Sequence, residues 1–168
     1  MDLVIRKEVK ADIQFISDIT RGAFQDNPHR NNAEHLIINA LREDGALTVS
    51  LVAEVHGQVI GHVAFSPVMI SDGTQGWYGL GPMAVLPAFH GQGVGSALAR
   101  NGLEEIRAMG AKGCVVLGDP DFFGRFGFVV NPNLVFEDAP LEHCLSLLLN
   151  GDWPRGKVIY HEAFLGYN

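Results

Sequence analysis
Between Trp77 and Leu117 the sequence reads strand, glycine-rich turn, helix, strand, and this succession limits the fold more tightly than any other feature. Trp77–Val85 has the composition of a strand. It is followed by Pro87-Ala88-Phe89-His90-Gly91-Gln92-Gly93-Val94-Gly95-Ser96, in which glycine takes every second place from Gly91 to Gly95. A helix over Val94–Met109 begins at once, with Leu98, Gly102 and Ile106 four apart and Gly110 and Gly113 punctuating its end. Cys114-Val115-Val116-Leu117 is then apolar at every position. A strand apolar on both faces belongs in a sheet covered on both sides, commonly beside a parallel neighbour. The unit is a strand–helix–strand crossover, expected right-handed, and it calls for an α/β fold.

The flanking segments supply the rest of a mixed sheet. Leu3–Lys7 reads as a short strand, and Asp12 is placed to cap a helix with Phe15, Ile16, Ile19 and Ala23 on its apolar stripe. That helix breaks over Gln25–Arg30, around Pro28. A second helix spans about Ala33–Arg42, with Leu36, Ile37, Ala40 and Leu41 on one face. Thr48–Val55 meets Val59–Val68 across His56-Gly57, a two-residue hairpin signal. Val59–Val68 meets Trp77–Val85 across Asp72-Gly73. Downstream we expect a short helix over Asp121–Phe126, a strand from Phe128 to Val130, an apolar helix over Leu141–Leu149 and a closing strand over Gly156–Phe164. With 168 residues and no repeat or linker, the reading is one domain over residues 1–168. Its sheet is antiparallel early and parallel in the middle.

Composition excludes several functions. The formal net charge is −7 and there is no basic run, which argues against nucleic acid and anionic membrane as partners. A negative field suits cationic small molecules such as amines, though weakly. Cys114 and Cys144 sit among apolar residues and read as two buried thiols in a reducing compartment, a disulfide being the poorer reading. The N-terminus has no apolar signal region, and no run is long enough to cross a bilayer. The expectation is a soluble cytoplasmic protein, compatible with a homodimer.

The glycine turn fits neither common phosphate motif. A dinucleotide fingerprint counted from Gly91 and Gly93 requires a third glycine where Ser96 stands. A P-loop requires Gly-Lys-Ser/Thr, and no lysine is near. The physical ingredients of an anion nest are nevertheless present: little side-chain bulk, successive N–H groups, and the partial positive end of a helix. A plain tight turn is the alternative.

The surroundings of the turn narrow the choice. Leu80–Leu98, "LGPMAVLPAFHGQGVGSAL", resembles the acetyl-CoA-binding segment of the GNAT superfamily of N-acetyltransferases: a hydrophobic-Ala-Val-x-Pro strand end, then Gln/Arg-x-x-Gly-x-Gly/Ala, then a helix. Gly93 and Gly95 fill the glycine places, and His90 holds the place usually given to Gln or Arg. Leu117–Phe128, "LGDPDFFGRFGF", resembles the segment after the family's fifth strand, in the branch with Gly-Asp-Pro, two aromatics and Arg-Phe-Gly-Phe. The closing "VIYHEAF" also fits that branch. The resemblance implies a mixed central sheet, helices on both faces, and fourth and fifth strands that are parallel but splay apart. It implies acetyl-CoA as co-substrate, its arm pairing with backbone groups of Met83, Ala84 and Val85 in the manner of an added strand. A bulge near Gly79–Pro82 would help to open that gap. The diphosphate would rest on Gly91, Gln92, Gly93, Val94, Gly95 and Ser96, with His90 beside it. Phe122 and Phe123 would pack near the arm or the acyl end.

The implied reaction is direct attack by an amine of a small molecule or a protein on the thioester. A backbone N–H near Val85 would receive the negative charge on the carbonyl oxygen. The amine must shed a proton, since a lysine-like amine has a pKa of roughly 10. Asp119 competes for the role of base with His62 and Glu54; Asp119 is also a natural N-cap ahead of Pro120. Phe123 stands where the family usually carries a tyrosine acid, so a non-catalytic acyl-CoA binding or sensing module is the alternative function. Phe24 and His29, at the edge of the Gln25–Asn32 loop and in it, fall where the family places its acceptor-binding residues, and His62 is read as facing the same side. Arg125 either pairs locally or reaches a phosphate. His143 and His161 lack partners at metal-ligand spacing, and no metal is expected.

Overall fold
The strand–helix–strand unit stands in the middle of a computed structural model of the chain, which describes residues 1–24 and 34–165. In chain order the elements are β1 (Leu3–Lys7), α1 (Ile13–Phe24), α2 (Glu34–Glu43), β2 (Val49–Val55), β3 (Gln58–Pro67), β4 (Met69–Ile70), β5 (Trp77–Val85), α3 (Val94–Ala108), β6 (Gly113–Leu117), α4 (Pro120–Phe123), β7 (Val129–Val130), β8 (Leu134–Phe136), β9 (Cys144–Leu148) and β10 (Gly156–Ile159). Among the described residues seven strands form a mixed sheet in the order β1-β2-β3-β5-β6-β9-β7, and β4-β10-β8 form a small second sheet. The His56-Gly57 turn joins β2 to β3 with both residues at positive φ, 51° and 78°, as a tight hairpin of the primed type requires.

Alternation along β2 assigns the helices to two faces. Leu51, Ala53 and Val55 belong to the cluster that holds Leu98, Ala99 and Ile106 of α3. Val52, between them, packs with Ile16 of α1 and Ile38 of α2. The period of two in the strand thus puts α3 on one side and α1 and α2 on the other. The expected helical stripes are close: Ile16, Ile19, Ile37 and Leu41 are buried as read, whereas Phe15 and Leu36 are exposed. Asp12 does not cap α1. Its carboxylate accepts the Val9 N–H at 2.7 Å and takes two bonds from Arg6.

Two glycines are fixed by close approach. Gly102 of α3 lies directly on the ring of the fully buried Phe65, so a Cβ there would overlap the ring. Gly113, the first residue of β6, lies under the indole of Trp77 in the same way, and Trp77 and Gly113 are register partners.

The chain departs from expectation after β6. Leu141–Leu149 is not a helix: a 3-10 turn over Leu141–His143 leads into β9, antiparallel to β6. Leu145 and Leu147 join the α3-side core while Cys144 and Leu148 join the opposite one, an alternation that belongs to a strand buried on both faces. The closing strand is also shorter than read. It ends at Ile159, lies parallel to β8 in the small sheet, and gives way to a 3-10 turn over Glu162–Phe164.

The central feature is a parting of β5 from β6. They are parallel and paired only at Trp77↔Gly113, Tyr78↔Cys114 and Gly79↔Val115. Beyond Gly79, β5 stays with β3, and beyond Val115, β6 stays with β9. The β3–β5 register slips between Val63 and Phe65, leaving an extra residue on β5 around Gly81-Pro82. That bulge lies within Gly79–Pro82, where residues that weaken a ladder are concentrated.

Candidate functional site
The groups that β5 offers to the gap follow from ladder arithmetic. Leu86 donates its N–H to Ile60 O at 2.9 Å, so Ile60 and Leu86 form a hydrogen-bonded pair. Antiparallel pairs alternate. Gly61↔Val85 and Val63↔Met83 are therefore the non-bonded pairs, and the backbone N–H and C=O of Met83 and Val85 point away from β3, towards β6. Where the two strands part, these groups meet no strand. One is taken: the Val85 carbonyl accepts a hydrogen bond from His90 Nε2 at 2.7 Å.

Past Val85 a 3-10 turn over Pro87–Phe89 leads into the glycine turn. Gly91 and Gly93 have φ of 75° and 83°, a conformation that other residues adopt at a cost. Gly93 is the N-cap of α3, and its carbonyl accepts the first helical bond, from Ala97 N at 3.0 Å. The N–H groups that open α3 have no partner inside the helix. Val94 sends its side chain into the core and presents backbone to the turn.

These elements enclose a cleft of about 540 Å³. One wall is Met83, Ala84 and Val85; the floor of the mouth is His90, Gly91 and Gly93 through Ser96 without a gap in sequence; the far wall is Asp119, Phe122 and Phe123. Gln92 does not line it, its amide turning back to Ala88 O at 3.3 Å. Phe89 and Arg125 do line it. Phe89 could have been inferred only from its place in the turn after Pro87.

Asp119 caps α4, accepting the Asp121 N–H at 2.9 Å, with Pro120 next to it at the start of the helix. The capping role occupies one carboxylate oxygen at the cleft wall. Phe123 is buried, its ring covering Gly118 and meeting Phe122 and Phe128 edge-on at 4.8 and 5.7 Å. Arg125 stays local, with its guanidinium 4.8 Å from the Phe122 ring centre and Nη2 3.5 Å from Ser96 Oγ.

The acceptor-side residues fare differently. His29 lies outside the described residues, and Phe24 ends α1 with a side chain outside them too. The end of α1 does approach the end of β5, since a Cβ on Gly22 would lie 3.7 Å from Leu86. His62 is a correction: it is fully buried and does not face an acceptor. Its Nε2 lies 2.7 Å from Ser50 Oγ, and the Ser50 hydroxyl donates to Glu8, which Arg42 holds with two bonds of 2.9 and 3.0 Å. Because the serine proton is given to Glu8, His62 must donate its Nε2–H to the serine oxygen, which leaves Nδ1 bare. Nδ1 has no partner among the described residues. Burial alone would raise the Glu8 pKa, but the bonds from Arg42 and Ser50 outweigh it and hold Glu8 below its ordinary value. Glu54 is tied to Arg6 through one carboxylate oxygen at 3.0 Å and does not line the cleft described above.

The comparisons agree with this geometry. Residues 13–128 match the Acetyltransferase (GNAT) family. An Escherichia coli K12 protein described as an uncharacterized N-acetyltransferase, YhbS, is 40% identical over 171 residues, covering 96% of this chain and 98% of the relative. The crystal structure of E. coli YhbS with CoA superposes with a TM-score of 0.90 at 34% identity, covering 99% of this chain and 93% of that one. A GNAT acetyltransferase from Brucella melitensis, in complex with acetyl-CoA, gives 0.86 at 46% identity, covering 96% and 97%. With the parted strands, the glycine turn and these relatives in agreement, the chain belongs to the GNAT acetyltransferase family.

Proposed function
We infer that the protein moves an acetyl group from acetyl-CoA to an amine of a small molecule or protein, by direct attack on the thioester. The observation that carries this reading is the gap between β5 and β6, into which Met83 directs its N–H and C=O and Val85 its N–H, and whose mouth is the turn before α3. An extended amide-bearing arm is complementary to such an edge, and a diphosphate to the N–H groups and dipole of the turn. The residues present fit acetyl-CoA, which supplies the activated acyl group.

In this reading Val85 N–H donates to the carbonyl oxygen as negative charge builds there; a donor fixed in advance costs no reorganisation. Met83 offers both an N–H and a C=O to the arm. Gly95 admits the arm past Phe122 and Met83, each within 3.8 Å of where its Cβ would stand. Asp119 is the titratable base candidate on the cleft wall, its second carboxylate oxygen being the one to take the amine proton. Acceptor specificity is assigned to the end of α1 and the segment after it, Phe24 and His29 included, because α1 ends beside the end of β5.

Phe123 favours a second reading, in which the protein binds acyl-CoA without turning it over, because a buried phenyl ring gives the leaving thiolate no proton. Thiol release from acetyl-CoA, followed across amines, amino acids, polyamines and peptides, separates the two. We expect release with at least one class, and a two- to tenfold gain in Phe123→Tyr if thiolate protonation limits the rate. Silence from every amine, in a protein that still binds coenzyme A, supports the binding module instead.

A further inference from the structure
The side chain of His90 is tethered at one nitrogen and free at the other. Its Nε2 bonds the Val85 carbonyl, the group that β5 directs into the gap, at 2.7 Å. A carbonyl only accepts, so Nε2 carries a hydrogen. In the neutral ring Nδ1 is then a bare lone pair. Nδ1 has no protein partner among the described residues, the ring is exposed, and His90 lines the mouth of the cleft one residue before the glycine turn. Among the described residues that line the cleft, the other charged side chains are Asp119, one of whose carboxylate oxygens accepts the Asp121 N–H, and Arg125, which lies over the Phe122 ring and reaches Ser96.

A bare lone pair and an anionic diphosphate repel. The same nitrogen with a proton on it donates a charge-assisted hydrogen bond. The tether holds the ring in place, so the difference between these states is a single proton on Nδ1. Imidazole is the side chain whose charge ordinarily changes between about pH 5 and 8.

We propose that His90 is a proton-coupled clamp: the coenzyme A diphosphate draws a proton onto His90 Nδ1 as it binds, while Nε2–H keeps hold of the Val85 carbonyl. One bond forms, N–H at Nδ1, and the proton comes from solvent. Binding is thereby linked to pH, and the phosphate end of the cleft is mechanically joined to the strand that carries the acyl group. The proposal rests on the coenzyme A reading given above.

Calorimetric titration with dephospho-coenzyme A tests it. That ligand keeps the diphosphate and lacks the 3′-phosphate, whose own titration near about pH 6 would intrude. Heats measured in buffers of different ionisation enthalpy give the protons taken up per ligand bound. We expect net proton uptake at pH 7, and an affinity that rises about three- to tenfold from pH 7.5 to pH 6, as one solvent-exposed charge-assisted bond provides. In His90→Gln uptake disappears and affinity becomes flat across this range. In His90→Arg, which is charged throughout, it is also flat but at the tighter level. Tight binding without uptake overturns the clamp and leaves the coenzyme A reading standing. Uptake that persists in His90→Gln overturns it as well, since the proton then goes elsewhere. Absence of any binding by the wild type removes both.

Discussion
The imidazole of His62 lies wholly inside the protein, and burial pushes its pKa down to about 4, with Glu8 and Asp12 pulling the other way and Arg42 reinforcing the fall. In an unfolded chain the same ring titrates near about 6.5. Between these two values the unfolded state takes up a proton that the folded state refuses, so stability falls as pH drops from 6.5 towards 4. The loss is on the order of 3 kcal/mol once both are passed. Glu8 and Asp12 act in a lower window: both are held below their ordinary values, and the stability they give is lost only as pH falls below about 4. Denaturant unfolding at pH 7 and at pH 4.5 checks this, and His62→Gln should be less stable at pH 7 yet lose less on acidification. An equal loss in both proteins removes the assignment to His62. The sequence reading put His62 on a strand near the acceptor but left its depth open, because depth depends on how α1 and α2 cover the sheet. Glu8, Ser50 and Arg42, the residues that hold it, lie far apart in the chain and carried no local signal.

At the scale of the element, α3 is instructive. Its stripe of Leu98, Gly102 and Ile106 was legible from spacing alone, but a glycine in a helix interior looked like a weakness. The Phe65 ring lies against the helix at Gly102, where a Cβ would overlap it, and explains the glycine. On an exposed helix, Gly→Ala adds stability, by about 0.8–1 kcal/mol. Here Gly102→Ala should remove about 1–3 kcal/mol, since the ring is enclosed and the core must shift. Thermal unfolding gives the sign, and a stabilised variant would contradict the packing described. The βαβ unit, the His56-Gly57 hairpin and the bulge near Gly81 were readable because each is set by neighbours in sequence. β9 was not. Cys144–Leu148 is a largely apolar run too short for its period to show, and its identity is decided by β6, whose edge opposite β5 it covers from Gly113 to Leu117. The same holds for β8, whose pairing with β10 is parallel and remote, whereas β10 itself was read as a strand from Gly156 and only its end was misplaced.

For the molecule as a whole, the parting of β5 and β6 makes a pattern of exchange that alternates by residue. Ala84 bonds β3, whereas the amides of Met83 and Val85 face the gap. Amide exchange followed by NMR should find Ala84 slow and its two neighbours fast in the free protein. Acetyl-CoA should slow Met83 and Val85 selectively. Gly93→Glu, which puts a carboxylate and a strained left-handed residue at the mouth, should abolish that response. Fast exchange at Met83 and Val85 that acetyl-CoA leaves unchanged would mean that the arm does not add to this edge. The glycine turn and the strand before it announced this region of the fold, while the acceptor side is built by separate segments that meet only once the chain is folded.

The Trp77–Gly113 contact reaches beyond the native state. Only a residue without a side chain fits beneath that indole. If β6 slid along β5 by one position, Lys112 or Cys114 would have to occupy the space, and every inward-facing group of the strand would turn outward. An alignment error in this short three-pair ladder is therefore rejected by steric collision as the chain condenses, and one glycine acts as a proofreading mark for the seam on which the molecule opens.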